Sequence, residues 1–228
     1  MKIYRISSKI RAILFDMDST LYTNADYARA QIDLPIDRLA HLKGKSFAEM
    51  SGEIAAYREK WAEEHEGRKI SLANAFVAFG VDIEESVKWR NELLDPKRYI
   101  VEDIQLRSTL ENLADKFTLA VVTNNPVSVA ERTLDALGVG DMFRTVVGLD
   151  TCGVSKPHKA PFLKAAALCG VAPGECLSVG DRYDIDIALP LELGMGGILV
   201  DGVEDVYKLP ELLSGSAEPF AEGADHGR

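Results

Sequence analysis

Ala12-Ile13-Leu14-Phe15-Asp16-Met17-Asp18-Ser19-Thr20 is an apolar run that stops abruptly at two acids spaced one residue apart. An unbroken apolar run of this length reads as a strand covered on both faces, here Ile10 to Phe15. Two later runs have the same form. Leu119-Ala120-Val121-Val122 ends at Thr123-Asn124-Asn125, and Cys176-Leu177-Ser178-Val179 ends at Gly180-Asp181. Thr145 to Leu149 and Gly197 to Val200 are further strand candidates. Helical patterns lie between the strands. These are Gln105 to Lys116, Pro126 to Leu137 closed by Gly138, and Lys159 to Cys169 closed by Gly170. The alternation predicts an α/β fold, a Rossmann-like three-layer arrangement with helices on both faces of a parallel sheet.

Residues 24–95 break the alternation. Ser46-Phe47-Ala48-Glu49 is a capping box, and Met50, Ile54, Tyr57 and Trp61 follow at helical spacing. Ser71 to Phe79 reads as a second helix, stopped by Gly80. A third starts at Asp82 and stops before Pro96. The expected organisation is a core of residues 1–23 and 96–213 with a helical insertion over 24–95. Residues 214–228, rich in Gly, Ala and charge, are expected to be disordered.

The 228 residues carry 26 Lys and Arg against 36 Asp and Glu, a net charge of −10. Such a surface disfavours nucleic acid as a partner. No stretch approaches the ~20 apolar residues of a membrane span. The N-terminus lacks the apolar run of a signal peptide. The three cysteines, Cys152, Cys169 and Cys176, have no CxxC spacing and read as thiols of a reducing compartment. The expected location is the cytoplasm, with no membrane and no nucleic-acid partner.

Sites in α/β proteins lie at the ends of parallel strands. The polar clusters here are Asp16-x-Asp18-x-Thr20, Thr123, Lys156 and Asp181 to Asp186. Taken singly, each has a bland reading as a turn, a helix cap or an exposed lysine. Together they bring several carboxylates and one lysine to neighbouring strand ends. Clustered carboxylates repel, and a hard divalent cation such as Mg²⁺ relieves them. A lysine and backbone amides beside that cation make a phosphate pocket.

The chain resembles the haloacid dehalogenase superfamily in its phosphatase branch. Phe15 to Leu21 resembles the first motif, DxDxT. Val121 to Asn124 resembles the second, Ser155-Lys156-Pro157 with Phe162 the third, and Gly180 to Asp186 the fourth. The resemblance spans roughly Ile10 to Gly202. It implies Asp16 as nucleophile and metal ligand, and Asp18 as general acid/base with a backbone carbonyl on the metal. It implies Asp181 as a further ligand. Asp186 would orient the metal's waters, with Asp184 as the competing candidate. Thr123 and Lys156 would hold the phosphoryl oxygens, with Thr20 and Asn124 on the phosphate side. Asp18 favours phosphate-ester cleavage over dehalogenation.

Residues 24–95 resemble the superfamily's cap. The turn from His41 to Ser46 resembles a cap specificity loop, making Lys43 and Lys45 substrate-binding candidates, with a solvated basic turn as the alternative. Tyr22 reads either as a pocket residue or as packing beneath the hinge. His158 and Lys159 depart from the usual residues after Lys-Pro, and Pro190 should break or restart the helix after the fourth motif. The implied function is a Mg²⁺-dependent phosphatase that hydrolyses a small phosphorylated metabolite through an aspartyl-phosphate. The alternatives are a phosphosugar mutase and a non-catalytic binder of a phosphorylated ligand.

Overall fold

The protein is described by a computed structural model over residues 1–67 and 69–214. Beyond Ser214, the tail expected to be disordered lies outside the described residues. Six strands form one sheet: β1 (Lys2–Arg5), β2 (Ala12–Phe15), β3 (Thr118–Val122), β4 (Thr145–Val147), β5 (Cys176–Gly180) and β6 (Gly196–Leu199). Their order is β1-β6-β5-β2-β3-β4, parallel except for β1, which runs antiparallel along β6. The sequence reading does not include β1. It is four residues long, mostly exposed, and begins and ends on Lys2 and Arg5, features of an edge strand with little periodic signal.

The helices are α1 (Ala25–Lys43), α2 (Phe47–Glu64), α3 (Leu72–Ala78), α4 (Ile83–Leu93), α5 (Ile104–Ala114), α6 (Val127–Ala136), α7 (Leu149–Cys152), α8 (Lys159–Leu168), α9 (Ala188–Glu192), α10 (Val203–Val206) and α11 (Leu209–Ser214). None among the described residues is long and apolar enough to cross a membrane.

Alternate side chains of a strand face opposite sides of a sheet, and β2 uses both. Ile13 and Phe15 pack with Leu106 and Leu110 of α5 and Leu134 of α6. Ala12 and Leu14 pack with Phe162 and Ala165 of α8. This explains the unbroken apolar run: neither face of the central strand meets water.

Helices α1 to α4 bury a separate cluster, with Ile36 and Leu39 of α1, Met50 and Ile54 of α2, Phe76 of α3 and Trp89 of α4. Helix starts follow the sequence chemistry. Ser46 and Glu49 form the reciprocal capping box at α2, and Ser71 and Asp82 cap α3 and α4. Gly80 follows the end of α3 with φ of +83°, where a Cβ would be strained. Helix α1 runs through Pro35, which masks it from a helical reading. Pro190 lies inside α9, which restarts after a π-helical turn at Tyr183–Ile187.

Trp89 is 1% exposed at the centre of the α1–α4 cluster. Trp89→Ala should cost about 3–5 kcal/mol, read by urea unfolding followed by circular dichroism. A loss below about 1 kcal/mol would show that the cluster repacks without it.

Candidate active site

Strand register carries the functional side chains to one edge. Phe15 pairs with Val121 on one side and Val179 on the other. Asp16 therefore leaves β2 level with the ends of β3 and β5, where Thr123 and Asp181 emerge. Ser19 then takes a φ of +59°, unusual for a non-glycine residue, and turns the chain back over this edge.

Lys156 reaches the same place from the loop between α7 and α8. Its Nζ lies 2.6 Å from Asp16 Oδ1 and 2.6 Å from Asp186 Oδ1. All three side chains are buried. Burial disfavours the charge on Lys156, but the two flanking carboxylates outweigh it and raise its pKa. Asn124 anchors the lysine backbone from both sides: Lys156 N–H donates to its Oδ1 at 2.7 Å, and its Nδ2 donates to Lys156 O at 3.2 Å. The side-chain amide of Asn124 is thus committed to positioning Lys156.

Asp16, Asp181 and Asp186 offer oxygens within 4.8 Å of one another. Asp16 Oδ2 and Asp181 Oδ1 are buried and accept no hydrogen bond among the described residues. Burial first, and then the neighbouring Asp16 charge, push the Asp181 carboxyl up to about 6. The three carboxylates face Lys156 and, 3.6 Å from Asp181 Oδ1, the exposed Arg182, and two of their buried oxygens remain open to a further cation. This donor set, all hard oxygen, fits a divalent cation such as Mg²⁺.

Of the two acids competing to support that cation, Asp186 joins the cluster. Its Oδ2 accepts Arg182 N–H at 3.1 Å, and its backbone carbonyl accepts the Ser178 hydroxyl at 2.7 Å. Asp184 is exposed and lies 3.8 Å from Lys69.

Asp18 sits beside the cluster among donors. Its Oδ1 accepts Tyr22 O–H and, at 2.6 Å, Gln31 Nε2; its Oδ2 accepts Asn125 Nδ2 at 2.8 Å. Burial and then the Asp16 charge raise the Asp18 pKa, while the bonds from Tyr22 and Gln31 oppose them. Asn125 is held in turn by Arg90 of α4, whose Nη1 donates to Asn125 Oδ1 at 2.9 Å. The sequence reading singles out none of Gln31, Arg90 and Asn125 as site residues. Asn125 follows directly on the β3 motif and had a positional signal. Gln31 and Arg90 had none, because helix packing alone brings them here.

A cavity of about 300 Å³ opens above this edge, lined by Asp18, Asn124, Lys156 and Asp181 from the sheet side. Thr20 and Thr123 stay buried; the Thr123 hydroxyl accepts Asn125 N–H at 3.1 Å. Lys43 and Lys45 are not brought to this cavity. They line a separate depression with Glu53 and Phe79, where Lys45 is paired to Glu53 at 2.7 Å.

The haloacid dehalogenase-like hydrolase family matches residues 10–193, and the chain belongs to it. Within that family it stands with the phosphatases. The phosphoglycolate phosphatase of Shigella sonnei is 32% identical over 200 residues, 78% of this chain and 77% of that protein. The 5-amino-6-(5-phospho-D-ribitylamino)uracil phosphatase YigB of Escherichia coli is 27% identical, over 92% of this chain and 88% of its own. In fold, the chain is similar to a HAD phosphatase from Thermococcus onnurineus, with a TM-score of 0.64 and 24% identity over 90% of this chain and 99% of that one.

A Cβ placed on Gly180 would stand 2.4 Å from Asp186 Cβ, so any side chain there must displace Asp186 from Lys156. Gly180→Ala should lower phosphatase turnover by about 100-fold, since misplacement by ~1 Å is that costly. Gly174→Ala, whose nearest contact would be 3.8 Å, is the control. Equal activities in the two variants, measured on phenyl phosphate, would show that Asp186 does not need its present place.

Proposed function

We propose that the protein is a divalent-metal-dependent phosphatase that hydrolyses a small phosphorylated metabolite through an aspartyl-phosphate on Asp16. The observation that carries this is the buried Lys156 held 2.6 Å from both Asp16 and Asp186, with Asp181 completing an oxygen cluster. Asp16 Oδ1 is held by Lys156, which fixes the plane of the carboxylate and leaves Oδ2 without a hydrogen bond. Attack by Asp16 on phosphorus forms the P–O bond to the enzyme as the bond to the leaving alcohol breaks. Asp18, in protonated form, gives its proton to the leaving oxygen; as a carboxylate it then takes one from the water that cleaves the aspartyl-phosphate. Lys156 offsets charge on the phosphoryl oxygens.

Asp16, the Asp18 backbone carbonyl and Asp181 are the proposed metal ligands, with Asp186 behind them. When bound, Mg²⁺ neutralises this acidic edge and the charge on the transferring group. The division into a core, residues 1–23 and 96–213, and a helical cap, residues 24–95, belongs to the same reading. It is supported by the separate apolar cluster of α1 to α4 and by the cavity between those helices and the sheet edge. The substrate enters there, and the helices exclude water from it.

Two experiments test this. Asp16→Asn preserves size and removes the attacking charge, so turnover should fall by on the order of 10³-fold or more while circular dichroism stays the same. Substantial residual turnover in pure variant protein would refute the covalent route. Separately, excess chelator should abolish activity and Mg²⁺ restore it. Ca²⁺ should inhibit, because it takes more ligands in looser geometry. Full activity in chelator would rule out the metal.

A further inference from the structure

The cavity walls are charged asymmetrically. Residues 24–95 hold 14 acids against 10 Lys and Arg, so this part of the chain is acidic. Yet the residues it contributes to the cavity include three cations, Arg58, Lys69 and Arg90, and no carboxylate. Arg182, which follows Asp181 from the sheet side, adds a fourth.

Two of these cations have only long ion pairs, Lys69 with Asp184 at 3.8 Å and Arg182 with Asp181 at 3.6 Å, among the described residues. Arg90 is 8% exposed, and its Nε is buried with no hydrogen-bond partner among the described residues. Its one side-chain bond is to the neutral amide of Asn125. Among the described residues no carboxylate lies within 4.0 Å of Arg90 or of Arg58, whose Nε donates to the Ile70 carbonyl at 3.2 Å. Burial and the neighbouring Arg182 charge both push the Arg58 guanidinium down. Arg182 lies 3.6 Å from Asp181, and the charges of Asp16, Asp186, Asp181 and Asp18 outweigh its burial and raise its pKa. Arg90 alone of the four is buried, while Arg58, Lys69 and Arg182 are exposed; an unbonded buried donor and like charges around one cavity both cost free energy. An anion entering the cavity relieves both.

The phosphoryl group does not supply that need alone. It is seated by Lys156 and the acid-bound cation at the sheet edge, and it fills only a fraction of about 300 Å³. The lining of the same cavity also includes Arg58 and Lys69 together with the apolar Ile32 and Leu72. We propose that Arg58, Arg90 and Arg182 form a second anion subsite, so that the substrates are phosphomonoesters whose alcohol part carries its own negative charge. This rests on the phosphatase reading above and narrows its substrate class. Arginine suits the task because its planar fork binds carboxylate or phosphate oxygens in pairs.

The test compares matched esters in Mg²⁺. 2-Phosphoglycolate is set against ethyl phosphate, and 3-phosphooxypropanoate against propyl phosphate. Propane-1,3-diol bisphosphate forms a third arm that separates a carboxylate from a second phosphate as the preferred anion. The wild type should favour at least one charged ester in kcat/KM over its neutral partner. Arg58→Gln should shrink that ratio by about 10- to 100-fold, the size of a lost charged hydrogen bond. Arg58→Lys should restore part of it, and Arg90→Gln should shrink it as well. Equal rates on charged and neutral esters in the wild type would overturn the subsite while leaving the phosphatase intact. So would an Arg58→Gln loss that is the same on both. No hydrolysis of any ester in Mg²⁺ would instead remove the phosphatase reading, and the subsite with it.

Discussion

Lys156 is a fully enclosed cation between two fully enclosed carboxylates, and the remainder of the sheet edge is arranged around that contact. Removing such a pair from water costs several kcal/mol per ion, and only close approach with good hydrogen bonding offsets it. The structure meets that demand from three directions. Strand β2 delivers Asp16, the π-helical turn after β5 folds Asp186 back onto the sheet, and Asn124 at the end of β3 grips the lysine backbone. Without the ammonium, Asp16 and Asp186 would lose the cation that bridges them in a cluster whose three acids offer oxygens within 4.8 Å of one another. Strand register at the edge, the winding after β5 and the path of the loop from α7 to α8 are therefore one constraint.

That constraint explains which parts of the protein could be read from the chain. Strands β2, β3 and β5 are legible because they are buried on both faces and so carry unbroken apolar runs, each ended by the polar residues the site requires. The capped starts of α2, α3 and α4 are legible because a cap is local chemistry. Strand β1 is not, since an exposed edge strand has no pattern to show. Asp184 and Asp186 could not be separated in sequence, being two residues apart. Only the π-helical winding, tied by the Ser178 hydroxyl to the Asp186 carbonyl, turns one inward and leaves the other in solvent. Lys43 and Lys45 drew attention as two cations in an acidic chain, but the α1–α2 turn opens on a different depression. Of the other cations that reach the cavity, Arg58 and Arg90 lie inside helices, Lys69 in the loop before α3 and Arg182 beside a metal-ligand candidate, with no local pattern to mark them.

The amide network around Asp18 links the two charge systems. Asn125 gives Nδ2 to Asp18 and to Gln31 Oε1, while its Oδ1 receives Arg90. Turning that amide over would set an oxygen against the Asp18 carboxylate and an NH₂ against a guanidinium, two unfavourable contacts in place of two good ones. Arg90 thus fixes the direction of the Asn125 and Gln31 amide hydrogen bonds around Asp18. Gln31 follows from Asn125, and donates to both Asp18 and the Tyr22 hydroxyl. All three groups on Asp18 are donors, so this arrangement favours its carboxylate, whereas burial and the Asp16 charge favour its acid form. The same guanidinium that lines the substrate cavity from α4 therefore also determines how Asp18 is held. An anion bound at the proposed subsite would therefore act on the proposed acid/base through this one buried side chain.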